Sequence, residues 1–153
     1  MMKLLAANGP NLNLTGLREP QIYGSDTLAM INSELMNRFP DVTFEFFQTN
    51  SEGELVDKIQ SVERDGFDGV ILNAGALSHY SYALRDAIAA IKKPVVEVHL
   101  SQVFAREEFR RKSAISEVCK GTVTGFGKFS YFAAAFALSE LLLKDPDLRR
   151  DKK

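Results

Sequence analysis

The sequence predicts an α/β protein, a doubly wound parallel sheet of five strands with helices on both faces. Three observations carry that prediction. Short, nearly all-apolar runs recur along the chain, as expected of strands buried on both faces. Amphipathic helical patterns alternate with them. The runs end at compact polar turns, among them Asn8-Gly9-Pro10-Asn11, Asn73-Ala74-Gly75 and His99-Leu100-Ser101.

Each element has its own signal. Residues 3–7 read as a short buried strand. Residues 9–25 hold three glycines and two prolines with little periodicity, and a loop that long in a small domain is usually functional or disordered. Ser25-Asp26-Thr27 offers caps for a helix whose apolar positions are Leu28, Ile31, Leu35, Met36 and Phe39, and Pro40 stops it. Residues 42–48 are β-branched and aromatic, a second strand. Ser51 can cap the next helix, with Glu52 and Glu54 in its first turn, where negative charge suits the helix dipole. Its stripe is Leu55, Ile59 and Val62, and Asp65-Gly66 ends it. Residues 69–72 form the third strand, 81–91 a helix facing inward through Leu84, Ala87, Ile88 and Ile91, and 95–99 the fourth strand. Residues 101–111 are mixed and charged, a turn of helix and a loop. Residues 121–125 are the fifth strand and 128–144 the last helix. This alternation suits a flavodoxin-like sheet of order 2-1-3-4-5. Residues 1–144 make one domain and 145–153 a polar, frayed tail.

Composition bounds the function. The chain has 153 residues, 45% hydrophobic and 25% charged, and can bury a core without staples. A net charge of −1 implies no pull toward nucleic acid or membrane. The apolar stretch 131–143 is interrupted and too short to span a bilayer, and 1–7 is too short for an export signal. One cysteine, Cys119, allows no internal disulfide, which fits the cytoplasm. Cys119 reads either as a small semi-buried residue or as a thiol activated by Lys120.

In such a sheet, ligands bind beyond the carboxyl ends of the strands where strand order reverses. Here that places the ends of the first, third and fourth strands around one crevice. Asparagines stand where a phosphoryl-receiver domain needs acidic residues, and neither a P-loop nor a dinucleotide fingerprint is present. Gly121, Gly125 and Gly127 could cradle an anion or simply turn the chain. Both histidines, His79 and His99, fall in the crevice. Glu97 and His99 share a strand face, and two histidines with one carboxylate could hold zinc, but Glu97 can instead orient His99 or face the core, and no other well-placed ligand appears. A flavin- or phosphate-binding domain and a non-catalytic subunit are the alternatives to an enzyme.

Three blocks, "NGPNLNLTGLREPQIYG", "LNAGALSHYSYALRDAI" and "VEVHLSQVFAREEFR", resemble the signatures of type II 3-dehydroquinate dehydratase. The resemblance runs over residues 4–138. It implies a cofactor-free, metal-free and Schiff-base-free hydro-lyase of the shikimate pathway, with a flavodoxin-like fold and assembly as a dodecamer, a tetramer of trimers. Its substrate is 3-dehydroquinate, from which an anti elimination through an enolate gives 3-dehydroshikimate. Leu77, Gln102 and Phe104 depart from residues frequent in the family.

The resemblance also implies the roles of residues. Tyr23 matches the proton acceptor. A phenol ordinarily titrates at about pH 10, so a base of this kind needs a cation, and Arg18 on the same lid-like loop supplies one. His99 matches the general acid, oriented by Glu97 or a carbonyl. Asn11 matches the group that positions a water or oxyanion at the enolate, where an amide can donate and an aspartate would repel. Asn8 reads as a turn former. Asn73, His79 and Arg110 match the partners of substrate hydroxyls, and the backbone at Leu100 and Ser101 those of its carboxylate. Asp86 matches a position that reaches the site of a neighbouring subunit.

Overall fold

The computed structural model describes residues 1–149; residues 150–153 and the side chain of Tyr23 lie outside the described residues. Five parallel strands, β1 (Met2–Asn8), β2 (Val42–Gln48), β3 (Gly69–Asn73), β4 (Val95–His99) and β5 (Gly121–Thr124), form one sheet. Their order is β2-β1-β3-β4-β5, so the direction of winding reverses between β1 and β3. The helices are α1 (Pro20–Tyr23), α2 (Leu28–Arg38), α3 (Glu52–Gln60), α4 (Tyr82–Ala90) and α5 (Phe129–Lys144).

Alternation along the strands divides the core in two. Leu4, Ile71, Val96 and Val98 pack under Ile31 and Leu35 of α2 and Leu138 and Leu142 of α5. Leu5, Val70, Leu72 and Val95 pack on the opposite face, under Leu55 and Ile59 of α3 and Leu84 and Ile88 of α4. Three helices start on hydroxyl caps. Thr27 accepts from the Met30 amide at 3.2 Å, Ser51 from Glu54 at 3.2 Å and Ser81 from Leu84 at 3.0 Å. Among the described residues, no helix is long and apolar enough to cross a membrane.

Two local expectations differ from what is observed. The irregular stretch after β1 contains a 3-10 turn (Leu12–Leu14) and α1, which Pro20 opens at its first position. The start of the tail is tied down rather than frayed. Pro146–Leu148 form a 3-10 turn, Lys93 Nζ donates to the Arg149 carbonyl at 2.6 Å, and Arg149 Nε lies 3.3 Å from Asp68. The ion pair and the lysine contact supply the anchorage that the polar sequence does not reveal.

Candidate active site

The ends of β1, β3 and β4 surround a cavity of about 220 Å³. Two glycines let their loops approach. The Gly9 amide donates to the Asn73 carbonyl at 2.8 Å, and a Cβ on Gly9 would sit 2.5 Å from the Ala74 carbonyl oxygen. Gly75, at φ +59°, presents a hydrogen where a Cβ would meet the Pro10 carbonyl oxygen at 2.9 Å. Asn11 follows in the left-handed region at φ 69°, which asparagine tolerates better than most residues. Its amide donates to Asn50 Oδ1 at 2.9 Å, and the residue lines the cavity.

β4 supplies a carboxylate–imidazole pair. Glu97 and His99 project to one face, both buried, with His99 Nε2 2.8 Å from Glu97 Oε1. That contact leaves Nδ1 as the other ring nitrogen of a residue that lines the cavity. Glu97 also accepts from Ser113 Oγ at 3.0 Å, from Thr122 Oγ1 at 3.2 Å and from Ser116 Oγ. Burial pushes its carboxyl up, the largest single effect, but the hydrogen bonds from His99, Ser116 and Ser113 together hold it below the ordinary glutamate value. Both carboxylate oxygens are thus occupied by donors, one of them the His99 ring. Among the described residues, no group of three metal-ligating side chains converges.

His79 lies at the carboxyl end of β3's loop, its ring stacked 5.9 Å from that of His99 at 17° and set edge-on to Phe109 at 6.0 Å. Its Nδ1 lies 2.8 Å from the Lys112 carbonyl and therefore carries the proton, leaving Nε2 as an acceptor. Desolvation pushes the ring below the ordinary histidine value, with smaller contributions of the same sign from His99 and Arg110. Both are consistent with a neutral imidazole.

Arg18, Leu100, Ser101 and Arg110 also line the cavity. Arg110 Nε donates to Glu107 at 2.5 Å, which fixes its guanidinium at the rim. Asn73 lines the cavity too, yet its amide is largely committed. Nδ2 donates to Tyr131 OH at 2.8 Å and Oδ1 accepts from the Gly75 amide at 3.2 Å. Tyr131 OH in turn donates to Asn8 Oδ1 at 2.5 Å, and burial raises its pKa well above the phenol range. Asn8 is thus the buried end of a strand held by α5, not a turn former.

Tyr23, expected as the base, ends α1, and its side chain lies outside the described residues. Asp86 is not brought into the cavity. It stands exposed on α4, 3.6 Å from Arg85. Cys119 is not activated by Lys120. Burial, reinforced by the Glu97 charge, pushes its thiol up to about 12. Leu77, a departure from the family pattern, is buried against α4, whereas Phe104 is exposed.

Sequence reasoning did not single out Arg106, which lines the cavity and donates to Ser101 Oγ at 3.2 Å, although its block was recognised. It also missed Ser113, Ser116 and Thr122. No spacing rule could have found these three, since they reach Glu97 from 16, 19 and 25 residues away.

Residues 2–139 match the family model described as dehydroquinase class II. A 3-dehydroquinate dehydratase of Pelodictyon phaeoclathratiforme is 57% identical over 147 residues, covering 95% of this chain and 97% of the relative. Another, of Chlorobaculum tepidum, is 59% identical over 136 residues, covering 88% and 92%. The crystal structure of a type II dehydroquinase from Butyrivibrio crossotus superposes with a TM-score of 0.88 at 41% identity, covering 90% of this chain and 97% of that one.

Proposed function

The chain belongs to the class II dehydroquinase family, and from that premise we propose how its residues divide the work of converting 3-dehydroquinate to 3-dehydroshikimate. The reaction is the hydro-lyase step of the shikimate pathway. The observation that carries the assignment of roles is the buried His99–Glu97 pair opening on the cavity. An elimination β to a ketone needs a base, a stabilised enolate and an acid for the leaving hydroxyl.

Tyr23, as phenolate, takes the proton from the carbon beside the ketone. Arg18 favours the phenolate by its fixed positive charge. The electron pair moves onto the ketone oxygen, and Asn11 holds the water or donor that meets the developing oxyanion. His99 then gives the proton on Nδ1 to the β-hydroxyl. Water leaves, the enolate collapses to the conjugated enone, and the proton now on Tyr23 returns to solvent or His99. Glu97 keeps its negative charge against Nε2–H throughout.

Substrate hydroxyls fall to Asn73, to the Nε2 acceptor of His79 and to Arg110, and the carboxylate to the backbone at Leu100 and Ser101. Asp86 is assigned to the site of an adjoining subunit in a dodecamer, and the enzyme to the cytoplasm. No cofactor, metal or nucleic acid enters this scheme.

The test follows the ultraviolet absorbance of the enone after 3-dehydroquinate is added to chelator-treated protein. A rise that survives borohydride is expected, since no imine is formed. No rise would overturn the assignment and leave the three signature blocks to ligand binding alone.

A further inference from the structure

We infer that Ser113 and Ser116 are positioning residues that hold the Glu97 carboxylate, and through it the His99 ring, in the orientation proton donation requires. The inference rests on the dehydratase reading above, which uses Glu97 but assigns nothing to the residues that hold it.

Glu97 has no exposed surface and could not remain ionised there without donors. Its partners come from three places. His99 lies two residues on along β4, Thr122 is its registered neighbour on β5, and Ser113 and Ser116 arrive from the segment between them. Ser113 Oγ accepts from the amides of Ile115 at 3.2 Å and Ser116 at 3.0 Å. Its own proton therefore goes to Glu97 Oε1 at 3.0 Å, in preference to the Ser78 carbonyl at 3.4 Å. Ser116 closes the other carboxylate oxygen.

The same segment also reaches the second histidine. The Lys112 carbonyl sets the His79 tautomer at 2.8 Å, and the Ala114 amide donates to the Ser78 carbonyl at 2.7 Å. Residues 112–116 thus fix both stacked imidazoles without lining the cavity. Ser113 and Ser116 do not line the cavity, and their link to His99 runs through Glu97.

Two readouts on Ser116→Ala and on the double variant S113A/S116A test this. The first is steady-state turnover. The double variant is expected to lose about tenfold or more in kcat, with KM within about twofold, because the acid is misaimed while binding is kept. S113T/S116T, which keeps both hydroxyls, is expected to recover most of that loss.

The second is ring nitrogen NMR, simple here because the chain holds only two histidines. In the unsubstituted protein His99 should show a protected Nε2–H, and in S113A/S116A that proton should exchange faster and the tautomer balance should move. An unchanged ring signal with kcat within about twofold would overturn the inference and leave the dehydratase reading standing. So would a parallel loss in kcat and KM with the ring signal unmoved, which marks a merely structural role. If the unsubstituted protein gives no turnover but the His99 signal still moves in the double variant, the dehydratase reading fails and the positioning geometry stands.

Discussion

At Glu97 four donors meet two carboxylate oxygens, and the consequences are specific to that one side chain. A glutamine there would offer a single acceptor oxygen and turn two N–H groups toward partners that already donate. Glu97→Gln is therefore expected to lower kcat by about 100-fold or more, with a small change in KM, in steady-state assays. Tyr23→Phe removes the proposed base and should abolish turnover while leaving binding of 3-dehydroquinate measurable by calorimetry; unchanged turnover would sink the mechanism. The titrations of Glu97 and His79 make a further prediction. Glu97 is lower in the folded protein than unfolded, so its contribution to stability is present above about pH 4.3 and is lost as pH falls through the carboxylate range. His79 is also lower when folded, because of desolvation, so its contribution is present above about pH 6.5 and is lost as pH falls through the histidine range. Urea midpoints measured over a pH series should fall in two windows. His79→Asn should remove the upper step, and a wild-type midpoint flat from neutrality to the carboxylate range would contradict both assignments.

Between elements, one buried hydroxyl ties the site's scaffold together. Tyr131, on α5, bridges Asn8 at the end of β1 to Asn73 at the end of β3, the two strands between which winding reverses. Tyr131→Phe would leave a buried amide oxygen and a buried N–H unpaired, at a cost of about 1–3 kcal/mol for each such group. The expected result is a lower urea midpoint together with a raised KM, since Asn73 lines the cavity. A phenylalanine variant as stable as the parent would show that the bridge is not needed. This bridge also marks where sequence reasoning stops. The strands Val42–Gln48 and Val95–His99 were legible to the residue, because β-branched and apolar runs bounded by turn residues carry their own signal. The strand order followed from alternation together with the five strands and the chain length, and the crevice followed from the strand order. The short α1 was not legible because a single turn of four residues carries no helical periodicity, and the Ser113–Ser116 turn was not because its partners are distant in sequence. Asn8 was misread for the same reason. Its Asn-Gly-Pro context looks like a turn, but a tyrosine 123 residues away holds it in the strand.

For the whole molecule, the distribution of apolar surface bears on whether one chain is a complete enzyme. Phe129, Phe136 and Leu143, spaced by seven along α5, are 55%, 61% and 63% exposed and form one stripe. On α4, Tyr82 is 73% exposed and stands one turn before Asp86, whose carboxylate faces outward. A net charge of −1 offers little repulsion between copies. Large apolar side chains grouped on helix faces favour burial against another chain. If Asp86 serves an adjoining site, Asp86→Ala and His99→Ala each leave every site in their own homo-oligomers defective. Unfolded together and refolded as a mixture, the two chains would place an intact His99 from one beside an intact Asp86 from the other. Activity above the sum of the separately refolded variants is then expected, and it should vanish when the subunits are kept dissociated. A mixture no more active than its components, in oligomers shown by sedimentation to be mixed, would confine Asp86 to its own chain's surface and leave each subunit to act alone.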